Sequence, residues 1–209
     1  MARLFGTDGV RGEANVTLLP EMAYRLGRAA TIYFGKESEE QPLIIIGRDT
    51  RISGEMFESA LTAGICSAGG RAMLAGIIPT PAIAYLARKH KAKAGIVISA
   101  SHNPFEHNGI KMFSGEGFKL SDALEEEIES LILREGELPV KTGAALGQVM
   151  DGAFTAEQYL DHLASTVGQL PRMRVLIDCA NGAASATARK LFSRFALNVD
   201  YINDTPNGV

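Results

Sequence analysis

The sequence predicts an α/β fold: a three-layer α/β/α domain with a mixed sheet, followed by the truncated start of a second, similar domain. Three observations carry this. Short apolar runs bounded by Gly, Pro or polar turns recur at Pro42–Gly47, Ala72–Ile78, Ala94–Ser99 and Arg174–Asp178. Runs of that length without alternation are strands buried on both faces. Segments with apolar residues at helical spacing separate them, and strand–helix alternation builds a sheet covered by helices. After Gly152 the pattern supplies only about two strands and two helices, less than a complete α/β domain.

The elements follow in order. Leu4–Gly12 is dense in Gly with interspersed Asp and Arg, and reads as a short strand running into a loop. Pro20–Phe34 places Met22, Leu26, Ala29, Ala30 and Tyr33 at helical spacing. Glu37–Gln41 is a polar loop, and the Ile-rich Pro42–Gly47 is a buried strand. Ser53 suits an N-cap for a helix over Glu55–Ala68. Ala72–Ile78 is the next strand, closed by Pro79 and Pro81. Ala82–His90 is a helix ending in Arg88, Lys89 and His90, where the helix dipole favours cations. Ala94–Ser99 is a third buried strand and runs into the turn-rich Ala100–Pro104. Gly109–Phe113 alternates as a strand, Ser114–Gly117 turns, and Ser121 caps a helix to Glu135. Lys141–Gly152 is small, Gly-rich and weakly patterned, and marks the boundary between residues 1–152 and 153–209. Beyond it lie a helix over Thr155–Val167, a strand over Arg174–Asp178, a helix to about Phe195 and a strand over Leu197–Ile202.

Composition narrows the function. With 46% hydrophobic and 22% charged residues the chain has the means to bury a core and is not disordered. A net charge of −3 gives no general attraction for nucleic acid, so no such partner is expected and any anion must be bound locally. No apolar run approaches the ~20 residues of a membrane helix, and no signal core opens the chain. A cytoplasmic protein without a membrane partner is expected. Cys66 and Cys179 stand alone in apolar stretches and read as buried reduced thiols. The acidic Glu125–Glu127 and Glu129 read as a wet helix face. His90, His107 and His162 have no metal-ligand spacing.

Ligands of open α/β sheets gather beyond the carboxyl ends of strands. Three polar loops follow predicted strands: Gly6–Gly12, Gly47–Gly54 and Ser99–Asn108. They hold Arg11, Arg48 and Arg51, then Ser101, His102 and Asn103, with Lys111 on the strand that follows. Cations, exposed backbone N–H groups and one hydroxyl are what a phosphorylated ligand requires. Ser101 is the candidate nucleophile; a serine hydroxyl needs a base or cation to assist it. Ser-His-Asn-Pro taken alone reads better as a turn, in which Ser and Asn bond the backbone and Pro fixes φ. There is no Gly-x-Ser-x-Gly elbow, which argues against a serine hydrolase.

Together, Phe5-Gly-Thr-Asp-Gly-Val-Arg-Gly12, Gly47-Arg-Asp-Thr-Arg-Ile-Ser-Gly54, Ile98-Ser-Ala-Ser-His-Asn-Pro104 and Asn108-Gly-Ile-Lys111 resemble the motif set of the α-D-phosphohexomutase family. The first and third are worded most like its bacterial glucosamine-phosphate branch. The resemblance makes residues 1–152 the first domain, with the phosphoserine loop, and 153–209 an incomplete second. It implies that Ser101 is phosphorylated in the resting enzyme. Its phosphoryl group passes to a hexosamine phosphate, and the resulting bisphosphate reorients and returns its other phosphoryl group. Glucosamine 6-phosphate and glucosamine 1-phosphate are the implied pair, on the route to UDP-N-acetylglucosamine. His102, Lys111 and Arg11 are implied to lie close to the transferred group, with Lys111 as acid/base or charge stabiliser. One Mg2+ per full-length subunit is implied, met from this chain only by the phosphoryl oxygens on Ser101. A homodimer through the first domain is implied as well. The family's Asp-Gly-Asp-Gly-Asp-Arg metal loop, its sugar-reading loop and its last phosphate-binding loop do not occur in this sequence, so these 209 residues alone are expected to be inactive. A phosphomannomutase/phosphoglucomutase is the second reading, and a non-catalytic phosphate-binding domain the third.

Overall fold

The computed structural model describes residues 4–6, 9–36, 40–134, 136 and 138–209. Thr7 and Asp8 of the first loop, residues 37–39 of the polar loop and Glu135 at the expected helix end lie outside them. The strands are β1 (Val10–Glu13), β2 (Leu43–Arg48), β3 (Arg71–Ile77), β4 (Ala94–Ile98), β5 (His107–Ser114), β6 (Val149–Asp151), β7 (Arg174–Asp178) and β8 (Asn198–Ile202). The helices are α1 (Pro20–Gly35), α2 (Gly54–Ser67), α3 (Thr80–Lys89), α4 (Asp122–Leu133), α5 (Thr155–Ser165) and α6 (Ser185–Phe192).

The isoleucines of β2 decide the layering. Ile44, Ile45 and Ile46 are all fully buried, which a strand achieves only with helices on both of its faces. Ile44 and Ile46 pack with Ala23, Leu26, Phe57, Leu61, Ile128 and Ile132 from α1, α2 and α4. Ile45 points the other way, to Ile83 and Leu86 of α3 and Tyr159 of α5. The result is a three-layer α/β/α arrangement around a six-stranded sheet of order β1-β5-β4-β2-β3-β6. β4, β2, β3 and β6 run parallel, while β5 is antiparallel to β4 and β1 antiparallel to β5, so the sheet is mixed. β7 and β8 form a second, two-stranded parallel sheet. Arg194, just past α6, reaches Asp161 at 2.7 Å and also Glu157, both on α5.

α1 and α2 cross with almost no side chain between them. A Cβ at Gly27 would lie 2.5 Å from the Leu61 carbonyl oxygen, and one at Gly64 would overlap the Tyr24 carbonyl. Two glycines therefore set the closest approach of this pair.

The structure differs from expectation in several places; β7, expected to be buried on both faces, is exposed at Arg174, Leu176 and Asp178. The weakly patterned Lys141–Gly152 contains β6, an edge strand on β3 with Val149 and Asp151 exposed. An edge strand this short has no apolar run for a sequence pattern to register. At the N-terminus the strand, β1, comes after Gly9, and among the described residues before it there is a bridge between Gly6 and Gly9. Ser53 makes no side-chain cap to α2; its hydroxyl accepts from Asn108 Nδ2 at 2.9 Å instead. The acidic face of α4 is wet only at Glu126 and Glu127. Glu125 is buried with Lys119 Nζ at 3.6 Å, and Glu129 Oε2 accepts from the Leu4 amide at 3.1 Å. Among the described residues no helix is long and apolar enough to cross a membrane. Both cysteines are free, Cys179 buried and Cys66 half-buried.

Candidate active site

β4 is buried along its whole length and carries the chain to Ser99, Ala100 and then Ser101. Ser101 is exposed, with φ at +61°, in the left-handed region that a residue with a Cβ seldom occupies. Such a conformation persists only where the surroundings over-determine it. Here they do. The Ser101 amide donates to Ser99 Oγ at 3.1 Å, and the Asn103 amide closes a turn onto the Ala100 carbonyl at 3.2 Å.

Arg51 supplies the rest. Its guanidinium has five N–H donors, and all are spent. Nε donates to Asp49 Oδ2 at 2.9 Å. One terminal nitrogen donates to the carbonyls of Pro104 at 2.6 Å and His107 at 3.1 Å. The other donates to the carbonyls of Ser101 at 3.1 Å and Asn103 at 2.8 Å. Asp49 is anchored in turn, its amide donating to the Ile98 carbonyl at 3.0 Å. Asn108, fully buried, donates from Nδ2 to Ser53 Oγ, while its Oδ1 accepts from the Gly109 amide at 2.8 Å. Every polar group buried beneath the loop named here is satisfied, as the cost of burying it unpaired demands.

Ser101, His102 and Asn103 line one side of a cleft of about 440 Å³, together with Asp49, Thr50, Arg51 and Phe105. Ala180–Gly182, Pro206, Gly208 and Val209 line the other. That second wall hangs on Asp178 at the end of β7. Its Oδ1 accepts from Asn203 Nδ2 at 2.9 Å and from the Ala180 amide at 2.8 Å, and holds Ala180, Asn181 and Asn203 at positive φ. These two bonds, the Asn203 one foremost, hold the Asp178 carboxyl below the usual aspartate range. The fold favours the carboxylate, so its contribution is complete above the ordinary aspartate value and is lost as pH falls through the lowered one. An NMR titration of this carboxyl is expected to give a midpoint below the ordinary value; one at or above it contradicts the arrangement.

The cations separate into two groups. Arg48 is committed to structure, at 2.9 Å from Glu55 and 3.3 Å from Glu58. Burial pushes the Glu58 carboxyl up even with Arg48 beside it. Arg51 is committed as described. These two arginines, grouped by sequence with the anion-binding residues, hold protein instead. Arg11 and Lys111 stand on β1 and β5 and are not among the residues lining the cleft. Arg11 pairs with Gly109, and a Cβ at Gly109 would meet Arg11 Cγ at 2.9 Å, so the glycine lets this side chain lie across the strand. Lys111, two residues along β5, shares that face and pairs with Val97 of β4. Of the candidate catalytic residues, the cleft brings together Ser101 and His102, with Ser101 Oγ 3.4 Å from His102 Nδ1. That is at the long end for a hydrogen bond.

Comparison with known proteins agrees with this fold. Residues 2–139 match the family described as phosphoglucomutase/phosphomannomutase, alpha/beta/alpha domain I. The chain is 53% identical over 211 residues to a phosphoglucosamine mutase from Carboxydothermus hydrogenoformans, covering 100% of this chain and 47% of that protein. It is 51% identical over 211 residues to the phosphoglucosamine mutase of Clostridium acetobutylicum, with the same coverage. The chain thus spans about half the length of these relatives. A phosphoglucomutase/phosphomannomutase family protein from Burkholderia thailandensis superposes with TM-score 0.82 at 23% identity, over 99% of this chain and 45% of that one. The open form of pp63/parafusin from Paramecium superposes with TM-score 0.69 at 18% identity, over 98% of this chain and 43% of that one. The α/β/α layering, the mixed sheet and the match over residues 2–139 lead to one conclusion: the chain belongs to the phosphoglucomutase/phosphomannomutase family and carries its domain I.

Proposed function

We propose that the full-length protein is a phosphoglucosamine mutase, interconverting glucosamine 6-phosphate and glucosamine 1-phosphate through a phosphoserine at Ser101. The observation that carries the reading is Ser101 itself: an exposed serine at a cleft edge, on a loop whose carbonyls are gripped by a buried arginine. Relatives at about half identity that carry that name supply the reaction class.

In the resting state Ser101 Oγ carries the phosphoryl group. A sugar hydroxyl oxygen attacks phosphorus while the bond from phosphorus to Oγ breaks. The hydroxyl proton leaves, and the serine oxygen takes one up. The bisphosphorylated sugar then turns over, and Ser101 Oγ attacks its other phosphate in the same manner. Such transfers need positioning and charge neutralisation more than covalent help. A phosphoserine brings about −1.5 to −2 charges at neutral pH. His102, adjacent to Ser101, and Arg11 and Lys111, on a shared sheet face, are assigned to meet that charge.

The family resemblance implies a magnesium ion at this centre. Among the described residues no group of three or more His, Cys, Asp or Glu is placed to hold a metal. These residues do not make a magnesium site by themselves.

The test compares turnover of glucosamine, glucose and mannose phosphates by the full-length protein. Preference for the glucosamine phosphate by about tenfold or more is expected, since a site that accepts hydrogen bonds from a 2-ammonium is only partly satisfied by the hydroxyl of glucose or mannose. Equal or faster turnover of glucose or mannose phosphate replaces the reading with a phosphomannomutase/phosphoglucomutase.

A further inference from the structure

We propose that Arg51 is a positioning residue of phosphoryl transfer: its guanidinium is the template that sets the Ser101 backbone, and Thr50 ties that template to the opposite wall of the cleft. The inference rests on the phosphoserine reading of Ser101 and deepens it.

Four backbone carbonyls of one loop, those of Ser101, Asn103, Pro104 and His107, converge on this guanidinium. Carbonyl dipoles aimed at a common point repel one another, so the convergence exists only because a cation sits there. Arg51 is 9% exposed, and Asp49 Oδ2 accepts at 2.9 Å from its Nε, the one N–H not spent on those carbonyls. A planar fork of fixed donors dictates where each carbonyl lies, and a lysine ammonium with three donors on a flexible stem does not. The carbonyl held at 3.1 Å is that of Ser101 itself, the residue at φ +61°, so Arg51 fixes the peptide on the C-terminal side of the nucleophile.

The residues flanking Arg51 face the other way. Thr50 Oγ1 donates to the Asn181 carbonyl at 2.6 Å, and the Ile52 amide donates to the Gly208 carbonyl at 3.0 Å. Three consecutive residues thus hold the nucleophile loop and the facing wall at once. The hydroxyl and the surface on which a sugar phosphate would rest share one mechanical reference.

The test uses full-length protein loaded with phosphoserine and follows single-turnover loss of that phosphate to a sugar phosphate. Arg51→Lys is expected to slow the transfer about 10²-fold, the scale of an ångström misplacement, while KM changes less than about threefold. Thr50→Val is expected to slow it about threefold or more with the melting temperature unchanged, which separates positioning from stability. Where Arg51→Lys does not fold, the Thr50→Val rate decides. Folded Arg51→Lys transferring at the wild-type rate, or Thr50→Val at the wild-type rate, overturns the proposal. Wild-type protein that carries no transferable phosphate overturns the phosphoserine reading beneath it, a distinct result.

Discussion

Ser101→Ala in the full-length protein is expected to lose turnover by at least about 10³-fold, a rise of roughly 4 kcal/mol in the barrier. The change deletes one exposed oxygen and keeps the Cβ, so the left-handed backbone is no more strained than before. Among the described residues no buried polar partner is orphaned, because the oxygen's side-chain contact is the 3.4 Å approach to the exposed His102 Nδ1. Folding stability should therefore stay within about 0.5 kcal/mol of the parent. Steady-state turnover and a thermal melt on the same preparation check both halves. A melt that moves several degrees would assign the serine a structural role.

Gly64→Ala is expected to destabilise the fold markedly. Helix propensity alone favours alanine by about 1 kcal/mol. Packing opposes it. The new methyl would overlap the Tyr24 carbonyl and come within 3.0 Å of the Arg28 amide nitrogen, both backbone atoms of α1 that cannot swing aside. Gly27 makes the reciprocal approach to Leu61, so α1 cannot slide to relieve the clash without creating a second one. Overpacking of this kind costs about 3 kcal/mol, leaving a net loss of about 2 kcal/mol after the propensity gain. For a chain of this size that lowers the midpoint by roughly 4–8 °C. A thermal melt measures it, and an unchanged or raised midpoint would contradict the packing described for α1 and α2.

The sheet was legible because β2 and β4 are apolar without alternation, and only burial on both faces explains that. Ser101 was legible for the same reason: a polar turn directly after a fully buried strand must emerge at the sheet's carboxyl edge. β6 was not, since three edge residues with two exposed leave no pattern to detect. Arg51 was visible as a cation, yet its role was hidden. A loop arginine is ordinarily solvated or bound to an anion, and only the folded loop brings four distant carbonyls to one point. The one local hint is Asp49, two residues earlier, which holds both the Arg51 amide and Nε. Asn108 misled through Ser53: the sequence offers a good cap, but a buried amide claims the same hydroxyl. The second wall, at Asn181 and Gly208, belongs to segments more than seventy residues away from the loops they face, a distance no local pattern spans.

Whether the Ser101 oxygen carries phosphate decides most of the account. Intact-mass measurement of the full-length protein, purified from its own cells, tests this most directly. A population heavier by one phosphoryl group, mapped to Ser101 and discharged on adding sugar phosphate, is the predicted result. Protein that is wholly unmodified, yet converts its sugar phosphates at full rate, would contradict it.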